Sequence, residues 1–310
     1  MVTPATTPSF APYVDLTMEP HPDLLALARA AGVRSVTLAF ISADGHSCAP
    51  AWSAHTPIAT ASIDAQVSLL RDAGGTVAAS FGAQWSSDLA LVCHTSASLA
   101  SAYESVIDRY RLTAVDFDVN GPALNNAAAQ ARRLSAIGSV ESSARLAHRE
   151  LRVTLSLPAT PSGFTAPGVA LLRAARRAGL RIDDVNAVAM NFGDDAAPNP
   201  SGRMGYYAIQ AARAAHDQLA AVWPSATSAQ RWAGLGLTPM LGVNDDRDEV
   251  FALDDAQQLV SFARGVGLGR LAEWSLDRDR PCAPATVTAI TSCSGVTAPV
   301  DAYTRVLETA

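Results

Sequence analysis

The sequence predicts an α/β protein built as a single (β/α)8 TIM barrel, on three observations. Strand-like apolar runs alternate with amphipathic helical segments from one end of the chain to the other. The length of 310 residues suits one such barrel. Strand one is followed by Thr17-Met18-Glu19-Pro20, in place of the Gly-rich turn that a doubly wound open sheet would need. The chain 1–310 is therefore read as one domain, with residues 1–9 as a flexible leader or linker remnant.

In order, strand one is expected at 10–17, strand two at 34–42 and strand three at 76–83. The Ala/Leu/Arg-rich segments 62–73 and 97–110, on either side of strand three, have helical period. Strand four, at 112–120, carries Val115-Asp116-Phe117-Asp118-Val119-Asn120-Gly121. A helix at 127–148 leads to strand five at 151–158 and strand six at 185–193. Helix 203–221 precedes strand seven at 235–243, and helix 254–265 precedes strand eight at 270–276. Gly265, Gly267 and Gly269 follow a helix and precede a strand, so they read as a helix stop and turn, not a nucleotide loop. The acidic run Asn244 to Glu249 lacks the glycine of an EF-hand loop and reads as a solvated loop.

Composition narrows the chemistry. Apolar residues make up 49% and charged residues 17%, which suits a well-buried core. All 23 basic residues are Arg, and the absence of Lys excludes Schiff-base and pyridoxal chemistry and the phosphate-binding P-loop. A net charge of −6 without a basic run argues against a nucleic-acid partner. No stretch approaches the ~18 consecutive apolar residues of a membrane span. The six histidines have no partner at metal-ligand or triad spacing and are assigned surface or loop roles. No Gly-x-Ser-x-Gly elbow is present. Neither a metal nor a cofactor is expected.

Four cysteines permit three pairings, of which Cys48–Cys93 and Cys282–Cys293 are favoured. Zinc competes without a Cys-x-x-Cys motif to support it, and free buried thiols are the remaining alternative. Disulfides would point to a secreted protein, although no signal peptide is visible at Met1-Val2-Thr3-Pro4.

Strand four is the most informative segment. A period of two puts Asp116, Asp118 and Asn120 on one face and Val115, Phe117 and Val119 on the other. An unpaired buried carboxylate is costly, so an acidic strand face makes sense if it ends in a site. Barrel sites form where strands end at the C-terminal face. The residues there are Tyr13, Asp15 and Glu19; Ser80, Gln84 and Trp85; Met190, Asn191 and Asp194; Met240 and Asn244; Trp274 and Asp277. Carboxylates beside Trp rings fit sugars, whose C–H faces stack on aromatics.

The strand-four segment resembles the signature of glycoside hydrolase family 18, the chitinases, in which Asp-Phe-Asp-Ile-Glu ends on the proton donor. Tyr13-Val14-Asp15, Ser80-Phe81-Gly82, Gly236 to Asp245 and Trp274 to Arg280 extend the resemblance over essentially the whole chain, closest to the bacterial secreted branch. The two cysteine pairs fall where that branch has them. The resemblance implies substrate-assisted retaining hydrolysis, a route known as an exception to the two-carboxylate scheme. Asp118 matches the Asp that orients the acetamido group, Asp116 its supporting partner, and Asn120 the acid. Trp274 would form the floor of the −1 subsite, with Tyr13, Gln84, Met190, Asn191, Met240 and Asn244 as walls.

An amide cannot donate a catalytic proton, and general acid–base help is worth roughly 10²–10⁴-fold. The expected function is recognition of an oligosaccharide or polysaccharide of the N-acetylglucosamine type by a monomer, with hydrolysis lost or severely impaired. Two alternatives stand beside it. One is an active glycosidase using Glu19, Asp194 or Asp245 on a sugar without an N-acetyl group. The other is a deliberately inactivated chitinase. Phe192 stands where the family places a Tyr, and Ala83 where it places a Gly, which favours natural divergence.

Overall fold

A computed structural model describes residues 8–18, 20–53, 55–82, 87–283 and 291–310. Eight parallel strand segments carry the fold. They are β1 (Ser9–Phe10 and Tyr13–Asp15), β2 (Ser35–Ala43), β3 (Thr76–Gly82), β4 (Ala114–Asp118), β5 (Arg152–Thr160), β6 (Asp184–Val188), β7 (Leu235–Thr238) and β8 (Arg270–Leu271). The helices that follow them in turn are α1 (Leu24–Ala31), α2 (Ala61–Asp72), α3 (Ser96–Arg109), α4 (Ala127–Leu146), α5 (Ala166–Arg177), α6 (Met204–Val222), α7 (Leu253–Val266) and α8 (Ala302–Leu307). Neighbours pair in the order β8, β7, β6, β5, β4, β3, β2. The two runs of β1 divide between the ends of that order: Ser9 and Phe10 pair with Arg270 and Leu271, while Tyr13 to Asp15 pair with Thr37 to Ala39. This is an α/β fold of the TIM-barrel type. The ladder begins at Ser9, the last residue of the stretch expected to be a leader.

Several strands are shorter than their apolar runs. β7 ends at Thr238 because Pro239 has no N–H for a ladder. β6 ends at Val188, shortly before Asn191 turns left-handed at a φ of +51°. β8 has two ladder residues, and Trp274 adds a bridge to Met240. The helix ends follow local rules. Asp23 and Asn126 cap α1 and α4 through side-chain oxygens, and Gly267 stops α7 in the left-handed conformation.

The outward strand faces pack under the helices. Phe117 of β4 and Phe81 of β3 stack at 5.3 Å, and both meet Tyr103 of α3 edge-on. Beside them Arg133 of α4 pairs with Asp88 at 2.5 Å, both buried, and Asp88 also caps the short helix Leu89–Val92. Gln130 links this pair to the β4 rim, accepting from Arg133 and donating to the carbonyl of Ala123. Both expected disulfides are present, with Cα–Cα distances of 4.8 Å for Cys48–Cys93 and 5.0 Å for Cys282–Cys293.

One histidine departs from its expected surface role. His216 is buried in α6, stacked on Trp232 at 4.1 Å, with its ring nitrogens beside Asp217 and Ser228. Among the described residues, no helix is long and apolar enough to cross a membrane.

Candidate active site

The inward strand faces meet in a polar chain at mid-barrel. Asp116 Oδ2 accepts from the hydroxyls of Tyr13 (2.9 Å) and Ser80 (2.6 Å), and Oδ1 from Ser156 (2.7 Å). Asn186 Nδ2 donates to Ser156 Oγ at 2.9 Å, and Thr238 donates to Asn186 Oδ1 at 3.0 Å. On the other side Arg270 donates to Thr37 Oγ1 at 3.0 Å. All eight strands thus contribute a polar group to the interior, where a barrel ordinarily packs branched apolar side chains. Three hydroxyls and the nearby Arg270 charge favour the ionised form of Asp116, but burial outweighs them and raises its pKa.

Asp118 lies two residues further along the same face. Burial, reinforced by the Asp116 charge, pushes its pKa up to about 8, against the pull of the Asn120 amide. Asn120 Nδ2 donates to Asp118 Oδ1 at 3.3 Å, so the three residues expected on one face are placed together. Asn120 also stands at the N-cap of the short helix Gly121–Asn125, half-buried. Close approach of β3 depends on Gly82, whose φ is +149° and whose Cβ would lie 2.0 Å from the carbonyl oxygen of Asp118.

An aromatic group covers the β1–β8 side. Trp274 lies 6.1 Å from the Tyr13 ring and stacks at 5.2 Å on Phe40. Tyr13, expected as a cleft wall, therefore links Trp274 to Asp116. Phe40 was not foreseen. The register between β2 and β3 slips between Ala39 and Ile41, which moves Phe40 off the period-two pattern and into this cluster. Asp277 accepts from the backbone N–H of Asp15 at 2.7 Å, and burial raises its pKa to about 7.

The β6 and β7 ends are clasped together. Asn191 Nδ2 donates to Asp245 Oδ2 at 2.7 Å, and Asp245 N returns a bond to Asn191 Oδ1 at 2.9 Å. Asn244 is fully buried, and its amide is spent on the carbonyls of Met240 and Gly242. Glu249, also buried, accepts from the backbone N–H groups of Phe192 (3.0 Å) and Gly193 (2.7 Å). The acidic run expected to be a solvated loop is therefore partly interior, and Glu249 is its structural anchor. Met240 is buried, Met190 half-buried and Asp194 exposed. Glu19, Ala83, Gln84 and Trp85 lie outside the described residues. Among the described residues, no three His, Cys, Asp or Glu side chains gather to hold a metal ion.

The arrangement offers one buried carboxyl held by three hydroxyls, a second whose pKa burial raises to about 8, an amide beside it and an aromatic wall. A probable bifunctional chitinase/lysozyme of Escherichia coli is 33% identical over 277 residues, covering 88% of this chain and 31% of that protein. Endochitinase 11 of Metarhizium anisopliae is 34% identical over 280 residues, covering 88% of this chain and 53% of that protein. The chain thus spans about a third and about half the length of these two relatives. Mutants of active domain 2 of a thermostable chitinase from Pyrococcus furiosus, complexed with chito-oligosaccharides, superpose with a TM-score of 0.85. That domain is 31% identical, over 98% of this chain and 96% of its own. No family model matches the chain. The fold, the strand-four carboxylates and these relatives together establish that the chain belongs to the chitinases, as a domain of the glycoside hydrolase family 18 type.

Proposed function

We propose that the strand-end cleft recognises N-acetylglucosamine-type oligosaccharides and that substrate-assisted hydrolysis is lost or severely impaired. The observation that carries the loss is the Asn120 amide, hydrogen-bonded to Asp118 where the family's proton donor belongs. The substrate class is supported by the Pyrococcus furiosus domain, which is complexed with chito-oligosaccharides. In this reading the eight strands close into one (β/α)8 ring. Asp116 holds Asp118, Asp118 engages the acetamido group, and Trp274 and Tyr13 form the apolar floor. Met190, Asn191 and Met240 stand around the sugar, with Asn244 holding Asn191 from behind. The two disulfides fit an oxidising compartment, so secretion is part of the reading. The protein acts as a monomer.

Calorimetric titration of chito-oligosaccharides tests recognition. Saturable heat is expected, and its absence at millimolar ligand would end the binding reading.

A second reading is favoured by Asp118 itself. With a pKa of about 8 it is largely protonated at neutral pH and can serve as a weak acid, leaving residual glycosidase activity. Any turnover should then vanish in Asp118→Asn. Turnover that survives this substitution would exclude Asp118 as the acid.

A further inference from the structure

We infer that Asn120 and Gly121 form a self-modification site, at which loss of ammonia converts the Asn120 amide into a carboxylic acid beside Asp118. The use of that acid, to protonate a glycosidic oxygen, rests on the reading of the cleft as a chitinase site.

Asparagine is thermolabile because the next backbone nitrogen can attack its side-chain carbonyl and close a five-membered ring. A Cβ on that next residue hinders the attack, and glycine has none. Of the seven asparagines, Asn120 alone precedes a glycine. The fold leaves this one reactive. Asn120 is half-buried in extended backbone (φ −137°, ψ −176°), and its side chain makes no capping bond although it stands at a helix N-cap. Gly121 is exposed, and a Cβ there would meet no atom within 4 Å, so solvent reaches the pair. The two nearest asparagines are occupied elsewhere. Asn125 donates to the Gly121 carbonyl, and Asn126 caps α4 by accepting from Ala129 N at 2.9 Å.

The Gly121 nitrogen gives up its proton and bonds to Asn120 Cγ. The Cγ–Nδ2 bond breaks, and Nδ2 leaves as ammonia, the released proton making up its third hydrogen. Asp118 Oδ1 lies 3.3 Å from Nδ2, in place to relay that proton. Burial favours the protonated form of Asp118, which suits it to protonate the departing nitrogen. Water then opens the cyclic imide. Cleavage of the new Cγ–N bond leaves an aspartyl residue at position 120, and cleavage at the main-chain carbonyl leaves an isoaspartyl one. The aspartyl product is one methylene shorter than the family's Glu, but it can donate a proton where the amide cannot.

The test ages the whole protein at neutral pH and follows the tryptic peptide 112–132 by mass spectrometry, alongside turnover of a fluorogenic N,N′-diacetylchitobioside. Fragmentation should place the exchange of NH2 for OH at position 120, ahead of Asn125 and Asn126 in the same peptide. Gly121→Ala should slow the exchange roughly tenfold or more. Asn120→Gln, whose side chain would have to close a larger ring, should keep its amide. Turnover should climb in step with the converted fraction, be present from the outset in Asn120→Asp, and never appear in Asn120→Gln. An amide that persists at position 120 in the folded protein, while the denatured chain converts there, would overturn the modification site. Conversion without turnover, with Asn120→Glu active, would overturn the role of the new carboxyl as acid. Conversion with Asn120→Glu also silent would overturn the cleft reading and leave the modification site standing.

Discussion

Asn120 Nδ2 donates to Asp118 Oδ1 at 3.3 Å, placing an amide beside a carboxyl group whose pKa is pushed up to about 8. The amide lowers that pKa by stabilising the carboxylate, but burial and the Asp116 charge outweigh it. Burial thus favours the protonated form of Asp118 near neutral pH, two residues before the position of the family's donor.

This proton makes stability depend on pH in a defined direction. Unfolded, the Asp118 carboxyl ionises near 3.8; folded, it holds its proton up to about 8. The folded state binds more protons across that interval, so stability falls as pH rises from about 4 to about 8, by at most about 1.4 kcal/mol per pH unit for one group. Asp277, raised to about 7, acts in the same direction. Thermal unfolding should give a lower midpoint at pH 8 than at pH 5, and Asp118→Asn should flatten the difference. A midpoint that rises over this interval in the wild type would contradict the assignment.

Tyr13→Phe should leave the barrel folded but weaken its polar interior. The lost hydroxyl donates to Asp116 and touches Ser156, both buried. Urea unfolding should report a loss of about 1–3 kcal/mol. Unchanged stability would mean that Ser80 and Ser156 suffice to hold Asp116.

Glu249→Gln should loosen the β6 rim. The carboxylate accepts from two N–H groups, and a carboxamide can accept only through its oxygen, turning an N–H toward the other donor. Hydrogen exchange at Phe192 and Gly193 should accelerate, with a stability loss of about 1–3 kcal/mol. Protection equal to the wild type would show that the Asn191–Asp245 clasp alone fixes the loop.

Much of this site is legible in the sequence because strand period and barrel polarity are local rules. The alternation in β4 places Asp116 inside and Phe117 under α3, and Trp274 meets Tyr13 because strands eight and one are neighbours. What escapes is set by register and long-range pairing. A period of two puts Phe40 outward with Leu38, and only the slip between β2 and β3 brings it to Trp274. Glu249 reads as one acid in a polar loop, since its partners lie 57 and 56 residues earlier in the chain. Asn244 looks like a cleft wall from its place after strand seven, yet its amide closes on Met240 and Gly242. Ser156 and Asn186 could have been found by following the period-two inward face from Asp116 into the next two strands.

The central claim is that a chitinase site is present and lacks its acid. It is tested most directly by assaying the wild type and Asn120→Glu side by side on a fluorogenic N,N′-diacetylchitobioside. The account predicts turnover in the variant at least roughly 10²-fold above the wild type. Silence from both proteins, or wild-type turnover equal to that of the variant, would contradict it.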